Sequence, residues 1–123
     1  MINAIHTLVH ADDPVAAREF FRDVLSWPFV DDGDGWLIFK TGPSEMGVHP
    51  TYGDPGTHSA TAHHEIALMC EDIEATMAEL RSKGAEFRGD VVDRGFGLVA
   101  MLAVPGAGDV MLYQPKHQTA HGL

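Results

Sequence analysis

Two stretches of this 123-residue chain carry the same succession of signals, and that repetition limits what it can fold into more than any single motif does. In the first stretch, INAIHTLVHA at 2–11 reads as a strand of β-branched and apolar residues, and Asp12, Asp13 and Pro14 then announce a helix. An aspartate cap accepts from the free N–H groups of a first helical turn, and a proline placed there has no N–H to leave unpaired. Val15, Ala16, Phe20, Val24 and Trp27 keep helical spacing, so the helix should run to about Leu25 with one face against a sheet. Short strands are expected near Phe29–Val30, at Trp36–Lys40 after the turn DDGDG, and at Glu45–His49 after the turn TGPS.

After a connection at 51–62 rich in Gly, Pro, Ser and Thr, the pattern returns. HHEIALMC reads as a strand, Asp72 as a cap, and Ile73, Thr76, Met77 and Leu80 as a helical stripe that ends before Gly84. AEFRG, GFGLVAMLAV and, beyond the turn PGAGD, VMLYQ complete the half. Superposing Asp13 on Asp72 gives a repeat of 59 residues and places His6 on Glu65. The expectation is a single α+β domain over 1–123. It holds two tandem βαβββ modules, 2–50 and 63–116, joined by the linker 51–62 and followed by a polar tail, 117–123.

Composition narrows the function classes. Eighteen acidic residues against eight basic ones leave a formal charge of −10, which repels a polyanion and argues against nucleic acid as a partner. The longest apolar stretches, such as GLVAMLAV, fall far short of the roughly 20 residues that a membrane-crossing helix needs. Cys70 is a single cysteine, and MINAIHTLVHADD has neither the basic region nor the long apolar core of a signal peptide, so the cytoplasm is the expected compartment.

The segment HTLVHADDPVAAREFFRDVLSW, with a strand histidine seven residues before a capping aspartate, resembles the first strand and helix of the vicinal-oxygen-chelate superfamily, which includes glyoxalases, bleomycin-resistance proteins and extradiol dioxygenases. DIEATMAELRSKGAEF and DRGFGLVAMLAVPGAGD are similar to its second helix-turn-strand and its penultimate hairpin, so the resemblance spans nearly all of 4–116. It implies two curved four-stranded sheets forming a half-barrel cleft, with a metal-ligand candidate on the first and last strand of each module. It also implies a homodimer, and the strand edges that an isolated half-barrel leaves open point the same way.

Alternation along the first strand sends His6, Leu8 and His10 into the cleft; on the fourth strand it does the same for Glu45, Gly47 and His49. His6 and His10 lie about 13 Å apart along a strand, too far to share one ion. In the second module the matching positions are Glu65 and Met111; the family's catalytic members usually carry a carboxylate where Met111 stands, and a thioether is a poor ligand for the hard or borderline ions concerned. The metal candidates are therefore His6, Glu45 and Glu65, with His64 entering if the strand register shifts by one residue.

Three functions follow as alternatives. One is a lyase, isomerase or ring-cleaving dioxygenase using Fe, Mn, Ni or Zn, with Glu65 as a base and His10 or His49 as proton carriers. The second, implied by the resemblance to bleomycin-resistance proteins, is a metal-free protein that sequesters cationic aromatic drugs between the carboxylates of Glu45 and Glu65 and walls formed by Trp36, Met111 and Tyr113. The third is a structural dimer without a small ligand, which the polar cleft positions argue against.

Overall fold

A computed structural model describes residues 7–47, 65–119 and 121. The chain begins with helix α1, Pro14–Glu19, which continues as a π-helical turn over Phe20–Val24. Two short strands follow, β1 (Phe29–Asp31) and β2 (Leu37–Phe39). The second half comprises β3 (Ala67–Met69), α2 (Ile73–Ser82), β4 (Phe87–Asp93), β5 (Gly97–Ala103) and β6 (Asp109–Pro115).

The repeat has a physical counterpart at both helix starts. Asp13 Oδ1 accepts from the Ala16 N–H at 3.0 Å, and Asp72 Oδ1 accepts from the Ala75 N–H at 3.1 Å. Each side chain thereby satisfies one of the amides that a first helical turn leaves without a partner.

The second half has the expected strand-helix-strand-strand-strand order and forms a sheet arranged β3-β6-β5-β4. Strands β3 and β6 run parallel, with Ala67 opposite Met111 and Met69 opposite Tyr113; β5 pairs antiparallel with both β6 and β4. Because β5 lies inside the sheet and reads GLVAMLA, it is buried along most of its length, as an apolar run without alternation requires. Ala100 and Leu112 pack under Ile73 and Met77 of α2. Phe20 and Ala17 of the first helix share a second cluster with Leu80, Ala85, Leu102 and Val104, so the first helix uses the second half's core. The link is tightened where the Asp13 N–H donates to the Gly106 carbonyl at 2.9 Å. Gly106 has φ +74, and a Cβ there would lie 2.5 Å from the Asp13 carbonyl oxygen, so this turn requires glycine.

The first half departs from the expectation. β1 and β2 pair antiparallel through Phe29–Phe39, Val30–Ile38 and Asp31–Leu37, but no strand forms over 7–11 or 45–47. Leu8 and Val9 are exposed, and the segment before Glu45 holds Gly42 and Pro43, which weaken a ladder. Residues 2–6 and 48–64, which include the remainder of both expected strands and the linker, lie outside the described residues. The architecture is mixed α+β, and among the described residues no helix is long and apolar enough to cross a membrane.

Leu102 is fully buried between the two helices' contacts, whereas Val92 on the edge strand is 48% exposed. Leu102→Ala is expected to lower the unfolding free energy in urea by about 2–5 kcal/mol. Val92→Ala should stay within about 0.5 kcal/mol of the parent in the same titration.

Candidate functional site

The side of the sheet facing away from α2 builds one wall of a cleft. Leu112 points into the core, so period two turns its neighbour Tyr113 the other way, onto the same face as Ala67 and Met69. These three residues line a cleft of about 420 Å³ together with Glu65, which precedes β3. Glu45, Met46 and Gly47 from the first half, and His117 and Gln118 from beyond β6, complete its lining. A volume of this size suits a small organic molecule.

Glu45 is the best-held polar group in it. Its side chain is only 14% exposed. The Tyr113 hydroxyl donates to Glu45 Oε1 at 3.3 Å, and the His121 backbone N–H donates to Oε2 at 3.4 Å. His117 Nε2 lies 3.7 Å from Oε1, with its ring centroid 6.1 Å from that of Tyr113. Phe96 meets the Tyr113 ring edge-on at 5.8 Å and holds the phenol in place. Burial, and then the negative charge and hydrogen bonding of Glu45, push the Tyr113 hydroxyl above its ordinary pKa.

Of the residues singled out from the sequence, Glu45, Glu65 and Tyr113 come together on this cleft. Met111 lies opposite Ala67 and Met101 in the ladders but does not line the cleft. Trp36 is elsewhere, 60% exposed, with the Arg18 guanidinium 4.6 Å from its ring centroid. His10 is exposed on the segment leading to α1 and does not line the cleft. His6, His49 and His64 lie outside the described residues. Among the described residues no three His, Cys, Asp or Glu side chains converge closely enough to hold a metal ion. The described donors therefore do not make a metal site by themselves.

Sequence reasoning missed His117 and Gln118, which it assigned to a polar tail. One signal was available: the alternation that turns Tyr113 toward the cleft reaches His117 two steps later, beyond Pro115. Cys70, on the helix side, donates its thiol to the Tyr113 carbonyl at 3.6 Å, and burial raises its pKa, which suits a packing role.

The family model for the Glyoxalase/Bleomycin resistance protein/Dioxygenase superfamily matches residues 4–110. Among solved structures, an antibiotic-binding protein, TnmS3, from a Streptomyces species superposes with a TM-score of 0.62 at 21% identity, covering 94% of this chain and 98% of that one. A lactoylglutathione lyase from Agrobacterium tumefaciens gives 0.61 at 19% identity, covering 92% and 94%. A superfamily member from Sphaerobacter thermophilus gives 0.60 at 16%, covering 92% and 98%. At these identities the similarity concerns the fold alone. No curated protein matches the sequence significantly.

The Tyr113 environment has a titratable consequence. A phenol whose pKa is higher in the folded than in the unfolded state contributes stability that is complete below the ordinary value of about 10 and lost as pH rises through the folded one. In an ultraviolet titration of tyrosinate, Tyr113 should ionise later than a free tyrosine. Tyr113→Phe should abolish that late phase, and Glu45→Gln should move it toward lower pH.

Proposed function

Since the chain belongs to the Glyoxalase/Bleomycin resistance protein/Dioxygenase superfamily, we propose that its cleft binds a small aromatic cation and that the protein acts by sequestering it. The observation that carries this reading is the sheltered Glu45 carboxylate beside the Tyr113 ring, with Glu65 on the same cleft. A carboxylate that is mostly out of water attracts an ammonium or other delocalised cation more strongly than an exposed one does. The Tyr113 ring offers a face for cation–π and stacking contact, and Ala67, Met69 and Met46 supply apolar surface. The net charge of −10 favours the encounter with cations at low ionic strength. An antibiotic-binding protein among the structural neighbours is compatible with this use of the fold.

A second reading is favoured by the meeting of Glu45 and Glu65 on one cleft. Here His6, Glu45 and Glu65 hold Fe, Mn, Ni or Zn, with His64 as the substitute ligand and Glu65, His10 or His49 as proton carriers. The ion would supply Lewis-acid polarisation of neighbouring substrate oxygens, the chemistry of a lyase, isomerase or dioxygenase. The described residues by themselves do not make such a site, which is why this reading comes second. Either way a homodimer in the cytoplasm is our expectation; among the described residues β3 and β4 end the four-stranded sheet and Val92 on β4 is exposed, which supports the dimer.

Calorimetric titration with berberine, a planar aromatic cation, tests the first reading. Berberine should bind, Glu45→Gln should weaken it about tenfold or more, and a naphthalene sulfonate of similar size should not bind. Plasma mass spectrometry on tag-free protein tests the second: a near-stoichiometric divalent ion, lost in the His6→Ala, Glu45→Ala double variant, would replace the sequestration reading with the metal-dependent one.

A further inference from the structure

The chain does not leave the sheet when β6 ends. Lys116 donates its backbone N–H to the Phe96 carbonyl at 2.8 Å, and its ammonium pairs with Asp93, so the root of the C-terminal segment is fastened to the β4–β5 hairpin. Lys116 and the Gly95 N–H also hold the Asp93 carboxyl below its ordinary pKa. From this root His117 and Gln118 line the end of the cleft, and the His121 N–H reaches Glu45. The outer contacts are much looser than those at the root. The His121 hydrogen bond is 3.4 Å long, longer than an ordinary N–H···O bond, and His117 stands 3.7 Å from the carboxylate.

This arrangement sets the strap and any cationic ligand in competition. The N–H that His121 offers to Glu45, and the charge that a protonated His117 brings within 3.7 Å of it, are of the kind that a ligand's ammonium or N–H would bring. We propose that the C-terminal strap, described at residues 116–119 and 121, holds the Glu45 carboxylate until a cationic ligand displaces it, and so acts as the specificity element of the cleft. A neutral aromatic of the same shape brings no donor to replace the strap's, and binding it leaves the strap in place. The hinge lies at Lys116, where the firm contacts end. The proposal rests on the aromatic-cation reading above.

Carboxyl labelling with a water-soluble carbodiimide and glycine ethyl ester, resolved by peptide mass spectrometry without any ligand, reads the strap directly. Deletion of residues 117–123 should speed labelling of Glu45 by about fivefold, while Glu65 on the same cleft stays within about twofold. His121→Pro, which removes the donating N–H and the imidazole and fixes φ at that one position, should shift Glu45 in the same direction by about twofold and decides the matter if the deletion fails to fold. Unchanged Glu45 labelling in a folded variant overturns the strap. In a second arm, saturating berberine should raise amide hydrogen exchange across 117–121 while β5 stays protected. Unchanged exchange at saturation overturns displacement. If berberine binds neither the full chain nor the deletion variant, the aromatic-cation reading and the displacement step both fall, and the labelling rates still show whether the strap shields Glu45.

Discussion

Strand β6 is the member on which the rest depends. It pairs on both sides, parallel to β3 and antiparallel to β5, so every residue along it must face either the helices or the cleft. Leu112 takes the first direction and is 2% exposed among Ile73, Met77 and Ala100; Tyr113 takes the second and carries Glu45 on its hydroxyl. The same backbone also carries Gln114, whose side-chain oxygen accepts from the Ile73 N–H at 3.0 Å, at the start of α2. Core packing, a helix start and the cleft wall are thus set by three consecutive residues. A one-residue slip of register would undo all three together.

This dependence explains which features could be read from the sequence. The two aspartate caps, the helical stripes and the strand order of the second half were legible because each is settled by neighbours a few residues away, or by a burial pattern that the residues display. Tyr113 was legible for the same reason. That 7–11 and 45–47 form no strands was not, since apolar and β-branched composition expresses a preference for extended backbone without supplying a ladder partner. Trp36 was drawn to the cleft by its aromaticity, but it sits one residue before β2, where Arg18 from α1 covers its ring. His117 was hidden for the opposite reason: its polar surroundings read as tail, and only the contacts of Lys116 with Asp93 and Phe96, more than 18 residues away in sequence, bring it to the cleft.

The cleft owes its chemical character to mismatched neighbours. Its floor comes from a four-stranded sheet, whereas Glu45 is presented by a segment that forms no strand over 45–47, with Tyr113 and the His121 N–H among its partners. A cleft built in this way joins an apolar sheet surface to a charged group held by contacts outside the sheet.

The turn at Gly106 illustrates a different constraint. Surface loops usually accept insertions, but here the carbonyl of Gly106 caps the approach to α1, and no side chain fits against Asp13. The β5–β6 hairpin and the first helix are therefore locked as one unit, and lengthening that loop would pull the two halves apart. The DDGDG hairpin between β1 and β2 is the reverse case, since among the described residues nothing lies within 4 Å of where a Cβ would stand on Gly33 or Gly35. For grafting a peptide, a reporter or a tether onto this scaffold, the open end of that hairpin is the place that leaves the cleft and its core undisturbed.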